Sequence, residues 1–441
     1  MKKIGLGFLG VFATSAIYYF TIGSAQINAV IKDELHQQLT ILEKHGFKID
    51  NKSEQKQTEH FEIVFDKSIK MMPYFMAHGM QTNLKQLKLL RGLSIGVDVR
   101  YSSSLSQSVA LDLYPMKLPS HLLSEKKNVK IKELVKQLQP MLDNKVFLVS
   151  VAFNKLGSKF KGYVKNINES LLLDTKNVTI ITNTTTFLGT LKGEELESIK
   201  ENIQSFQLTI NDEADFLVKN FTASFEQTGK TFYDSSTSYG VETIDVKGTV
   251  LPTLHINETI ITSKGKVKEG LFSAFLNASV KQIELIDETA TTFHNIVLKT
   301  KNKNIDIETL NKFLKASNVK ELNVMLKTLV SKGIEFEVPN FSVREIVFNQ
   351  KSLKGFALDS KIEVKKTLSL KDLKPSPKTL LSVLNGKLSF SFSDEIFELL
   401  AQHPKATIAL MFFPPIDKNG KKVYELKLQD NHLNINGKEA I

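Results

Sequence analysis

Along much of the chain, apolar and polar residues alternate one by one. Leu93, Ile95, Val97, Val99 and Tyr101 are separated by Ser94, Gly96, Asp98 and Arg100, the two-residue period of a strand that buries one face. The same alternation recurs in Val109, Leu111 and Leu113, in Phe147, Val149, Val151 and Phe153, and in Phe206, Leu208 and Ile210. Phe221, Ala223 and Phe225, then Ile334, Phe336 and Val338, repeat it further on. Strands of this kind imply antiparallel sheet with one wet face. The expected fold class is therefore α+β: a large, mainly antiparallel β-rich body with interspersed amphipathic helices.

A spacing of three and four marks the helices. Ile27, Val30, Ile31, Leu35, Leu39 and Leu42 predict an amphipathic helix over residues 26–46, closed by Gly46 as a C-cap. Ile131, Leu134, Val135 and Leu138 predict another, and Leu196, Ile199 and Ile203 predict one over Glu194–Ile203. Asp306 opens a helix carrying Leu310, Phe313 and Leu314, and Asn318 with Glu321 caps one that runs to Gly333. Pro375–Leu384 and Asp394–Gln402 are shorter candidates. Linkers are expected at Leu118–Asn128, Asp234–Tyr239 and Lys371–Lys378. The body then divides into a β-rich region with helices over 47–235 and a second β-rich region over 236–441.

The first residues follow neither period. Between Ile4 and Ile31 there is no charge, and a helix over Ile4–Ala25 would be roughly 33 Å long, enough for a hydrocarbon core of about 30 Å. Ile4, Phe8, Leu9, Val11, Phe12, Ile17, Tyr18, Tyr19 and Phe20 would form that anchor, with Lys2 and Lys3 before it. The expectation is a single-pass protein of the bacterial inner membrane, N-terminus cytoplasmic and body periplasmic. The alternative is a signal peptide cleaved near Gly23-Ser24-Ala25, leaving a soluble periplasmic protein. Gly5, Gly7 and Gly10 spell G-x-G-x-x-G. With three residues before Ile4, no strand can precede them, and the dinucleotide reading fails.

Composition narrows the chemistry. The chain is 41% hydrophobic with 29 Phe, enough for a large core, and has no cysteine, so disulfides, thiolate catalysis and Cys-ligated metals are excluded. The net charge is +11, but only Arg91, Arg100 and Arg344 are arginines. Specific phosphate recognition favours arginine forks, so no nucleic-acid partner is expected; a weak attraction to anionic lipid stays open.

The C-terminus carries the most specific pattern. Lys418-Asn419-Gly420-Lys421 reads as a turn, Tyr424, Leu426 and Leu428 alternate, Asp430-Asn431 turns again, and Leu433 and Ile435 lead into Asn436-Gly437. With the HGFKIDN stretch at residues 45–51, this resembles the YdgA-like bacterial family of unknown function; here Asn431-His432 stands where that family usually has a glycine before the last strand. The resemblance implies a single N-terminal membrane segment, a long β-rich periplasmic body and a closing hairpin. It transfers no catalytic residue.

No catalytic constellation stands out. The histidines show no ligand spacing, although His78 and His255 sit between apolar neighbours. Asp212-Glu213-Ala214-Asp215 lacks the glycine and distal Glu of a calcium loop, and Ser102-Ser103-Ser104 lacks the glycines of a nucleophile elbow. No cofactor and no metal are expected. The sequence points to a non-catalytic envelope binding or scaffold protein whose partner is another envelope protein or a lipid. The alternative is a lipid-binding or lipid-transfer protein with an apolar sheet groove lined by Leu93, Ile95, Val97, Val99, Tyr101, Phe147, Val149, Val151 and Phe153. A third reading is an envelope hydrolase with carboxylates on separate strands.

Overall fold

The structure is a computed structural model that describes residues 31–77, 84–102, 109–124, 129–154, 156–173, 175–193, 195–211, 213–249, 252–315, 328–329, 332–364, 384–402, 410 and 412–440. The expected anchor residues, Ile4 to Phe20, lie outside this set. Among the described residues no helix is long and apolar enough to cross a membrane. The first described helix, α1 (Ile31–Lys44), has 14 residues, about 21 Å at the usual rise, and carries charge at both ends. The single-pass localisation is corrected accordingly: no anchor is shown.

The chain forms two compact units, residues 1–224 and 225–441. In the first, α1 ends at Gly46, whose positive φ of 92° suits a C-cap glycine. Strands β1 (Phe47–Glu54) and β2 (Thr58–Phe65) follow, then α2 (Ser68–Ala77), α3 (Leu84–Leu89), β3 (Ser94–Tyr101) and β4 (Val109–Lys117). Next come α4 (Ser120–Ser124), α5 (Val129–Asp143), β5 (Val149–Phe153), β6 (Lys159–Val164), β7 (Ile167–Leu173), β8 (Lys176–Lys192) and β9 (Glu195–Ile210). Strands β1 to β6 pair in chain order, all antiparallel. Both β6 and β7 lie along β8, and β9 pairs with β8.

The core of this unit fills the space between the sheet and its helices. Leu39 and Leu42 of α1, Met71 and Phe75 of α2 and Leu87 of α3 pack on Phe61, Ile63, Val97, Val99 and Val151. Phe47 meets Phe65 and Phe75 with ring centroids 5.2 and 5.9 Å apart. A smaller cluster joins Leu138, Met141 and Leu142 of α5 to Leu171 of β7.

Two sequence expectations change here. The helix expected over Glu194–Ile203 is replaced, from Glu195 on, by strand: β9 pairs with β8 from Lys192↔Glu195 to Val178↔Ile210. The linker expected at Leu118–Asn128 holds α4.

Strand β10 (Ala214–Gln227) contains the division between the units. In the second unit β11 (Ser235–Gly248), β12 (Thr253–Lys268), β13 (Leu271–Ile286) and β14 (Ala290–Asp306) form an antiparallel meander. Of the expected linker Asp234–Tyr239, all but Asp234 is the start of a strand; Ser236, Thr237 and Ser238 pair with Lys264, Ser263 and Thr262. Helix α6 (Ile307–Lys315) follows, its first turn capped by Asp306, which accepts from the Thr309 amide at 2.8 Å. Then come β15 (Glu335–Phe348), β16 (Lys351–Val364), β17 (Leu384–Phe392), α7 (Asp394–Ala401), β18 (Ile416–Lys418), β19 (Lys421–Gln429), β20 (His432–Ile435) and β21 (Lys438–Glu439). The pairing runs β14–β15–β16–β17–β19–β20–β21, with β18 also on β19.

Several of these hairpins close on two residues of positive φ: Glu269-Gly270, Asn349-Gln350, Asn419-Gly420, Asp430-Asn431 and Asn436-Gly437. Two such residues make the turn whose twist matches its strands, and the C-terminal turns fall where the sequence places them. The helices expected at 375–384 and 318–333 fall largely outside the described residues.

Candidate functional site

The expected groove lining is closed. Leu93, Ile95, Val97 and Val99 are 3, 8, 1 and 0% exposed, and Val149, Val151 and Phe153 are 1, 0 and 2% exposed. All seven belong to the core beneath α1, α2 and α3. Phe147 packs on the α5 cluster, and Tyr101 is half-buried with its hydroxyl donating to Glu59 at 3.0 Å. The seven core residues hold the helices to the sheet and offer no open surface.

The other face of the same strands is more polar than wet. Ser94 is 0% and Glu62 2% exposed. Glu62 accepts from Ser94 Oγ at 2.7 Å, from Lys117 Nζ at 2.9 Å and from Asn51. Burial alone would push its carboxyl up, but these three donors outweigh it and hold the group at about 2. Asp98 and Asp112 stand directly opposite each other on β3 and β4. Such a pair repels unless each is neutralised, and each is. Asp98 meets His60 Nδ1 at 2.6 Å, Lys145 Nζ at 2.8 Å and the Tyr114 hydroxyl at 3.0 Å. Asp112 takes a two-pronged Arg100 and Ser150 Oγ at 2.7 Å. Gly96 lies beneath Tyr114, where a β-carbon would come within 2.7 Å of the ring.

Carboxylates engaged in this way are acceptors already satisfied. The lowered pKa of Asp98, where burial is outweighed by Lys145, His60 and Tyr114, keeps it from protonating, the reverse of what a general acid needs. The network ties five strands together and offers no poised acid–base pair.

Among the described residues one group of donors could hold a metal: His36, Glu54 and Glu59, with ligand atoms within 4.8 Å of one another. Lys32 occupies that position electrostatically, bonded to Glu54 and 3.6 Å from Glu59, while His36 Nε2 lies 2.9 Å from Glu59. The cluster reads as an ion-paired clamp of α1 onto β1 and β2. His255 is paired with Asp245 at 2.6 Å, and His78 lies outside the described residues.

The second unit is built differently. Its strands change phase along one row: pairing passes from Asn257↔Gln282 to Thr259↔Val280 and from Gln282↔His294 to Val280↔Ile296. Glu258 and Asn295, with positive φ of 48° and 51°, mark that row. Apolar positions are even-numbered before it (Leu254, Ile256) and odd-numbered after it (Ile261, Val267).

Beyond that row the apolar positions stay opposite one another: Phe341↔Leu358, Leu358↔Phe390 and Phe390↔Tyr424. Phe341, Phe356 and Phe390 follow one another at centroid distances of 5.4 and 5.8 Å. At one end Phe397 of α7 covers Phe392, which is 2% exposed. At the other, Phe336 and Ile362 are 39 and 44% exposed. Phe341, Phe356, Leu358, Phe390 and Tyr424 between them are only partly covered.

The opposite face of the same strands is a charge lattice. Glu335 lies 2.8 Å from Lys303 and 3.1 Å from Lys361, and these two lysines hold its carboxyl below the usual range.

Compared with family models, with curated proteins and with solved structures, the chain matches none.

Proposed function

We propose that this chain is a non-catalytic binding protein for molecules with a long apolar chain, received on the apolar face of β15, β16, β17 and β19. One contrast carries the reading. Val97, Val99, Val149 and Val151 of the first unit are 0–1% exposed, whereas the aromatic row from Phe341 to Tyr424 is only partly covered, with Phe336 and Ile362 open at its end. Partly covered rings set side by side on neighbouring strands gain most from an apolar guest, at about 25 cal/mol per Å² of surface removed from water. The paired carboxylates of the first unit support a binding role over a hydrolytic one.

Titration with a dansyl-labelled undecanoic acid tests this. A blue-shifted emission that oleate displaces, weakened at least tenfold by Phe390→Ser in a folded protein, is the expected result. Emission that oleate leaves unchanged overturns the proposal.

A further inference from the structure

The polar face of β12, β13 and β14 differs from the lattice beside it. Lys264 stands opposite Phe275, and Phe275 opposite Lys301, so one ring lies between two ammonium groups in a single row across three strands. Lys266 and Lys299 share this face by the two-residue period. No acidic residue occurs over residues 260–266, 273–279 or 297–301. Among the described residues no ion pair engages Lys264 or Lys299; Lys266 lies within electrostatic reach of Asp234, and Lys301 reaches Glu337 only at 3.8 Å, at the border of the lattice. Within this cationic field two apolar side chains stand out to solvent, Ile260 at 52% and Phe275 at 39% exposure.

We propose that this face docks on a surface of anionic lipid headgroups. Charge complementarity requires an anionic partner, and residue type selects among anions. Lysines are point charges that accept diffuse phosphate layers, where arginine forks would mark a defined phosphate. Phe275 and Ile260 give the apolar wedges that enter the headgroup layer between the charges. Single-stranded nucleic acid would call for successive aromatic platforms, and this row has one ring. The inference rests on this face alone and is independent of the apolar face opposite.

The test is sedimentation of the full chain with vesicles of phosphatidylcholine containing 30% phosphatidylglycerol, against pure phosphatidylcholine. The quantity read is the phosphatidylglycerol-dependent part, at about 50 and about 500 mM salt. The expected result is binding that high salt suppresses, with each lysine near the surface contributing roughly fivefold. K264Q/K266Q should then lose roughly 25-fold by the same rule, and Phe275→Ser should weaken the low-salt binding while leaving the circular dichroism melt in place. A phosphatidylglycerol-dependent part that K264Q/K266Q leaves unchanged overturns the proposal. So does tighter binding of a single-stranded oligonucleotide that the same lysine variant abolishes, since the face would then belong to nucleic acid.

Discussion

Glu62 of β2 and Lys117 of β4 are joined at 2.9 Å across the intervening strand, on the buried polar face where Ser94 of β3 donates to the same carboxyl. The folded chain favours the charged form of this carboxyl. Its pKa is about 2 in the folded protein against an ordinary 4.5. The stabilisation it gives is fully present above pH 4.5 and drains away as pH falls towards 2, amounting to at most about 3 kcal/mol because Lys117 is open to solvent. The urea midpoint should therefore fall between pH 5 and pH 3. Glu62→Gln should be less stable at pH 7 and should show a shallower fall; an unchanged slope in that variant would assign the acid sensitivity elsewhere.

The two units should respond differently to the same truncation. Phe61 is 2% exposed in the core of the first, so Phe61→Ala should cost about 3–5 kcal/mol. Phe356 is only partly covered, and Phe356→Ala should cost less than about 2 kcal/mol while weakening the acyl probe. Denaturant titration of both variants beside the dansyl assay checks the contrast; equal losses would mean the aromatic row is ordinary core.

Ser393 serves two partners at once. Its Oγ accepts from the Ile396 amide at 3.3 Å, capping α7, and donates to the Lys354 carbonyl at 2.8 Å on β16. Ser393→Ala should cost about 1–2 kcal/mol, and hydrogen exchange should rise in α7 first. Uniform exchange across both units would speak against a local tether of this kind.

Gly355 lies where β16 crosses the phase-change row. A β-carbon there would sit 1.8 Å from the Val343 carbonyl oxygen on β15, a backbone atom that cannot swing aside. Gly355→Ala should lower stability by about 1–3 kcal/mol, measured by thermal melt, and should loosen the β15–β16 edge of the apolar face. A melt within error of the parent would remove this constraint.

The strands whose alternation is unbroken, such as Leu93–Tyr101 and Val109–Leu113, could be read directly from the residues, as could the closing turns with their Asn and Gly. Strand β9 could not. Its pairing shifts between Thr190 and Leu191 and skips a position between Asn183↔Ser205 and Thr185↔Ile203. Such irregularities interrupt the period of two, leaving Leu196, Ile199 and Ile203 at a spacing that imitates a helix. The start of β11 was hidden for another reason, since Ser and Thr make turns and strands alike. The buried polar network gave no local signal, because Glu62, Ser94 and Lys117 meet only through pairing. The lysine face was hidden likewise: Lys264 and Lys301 are far apart in sequence and share one row only after β13 has brought Phe275 between them.

The in-order pairing of the second unit carries a kinetic consequence. From β11 to β14 each strand pairs with the strand just made, so closing each hairpin forfeits little loop entropy. Low contact order of this sort speeds folding. Growth can follow synthesis, one strand at a time, with the finished edge serving as template for the next. Until its successor arrives, however, that edge is open to a strand from any neighbouring chain, and crowded nascent copies would compete for it.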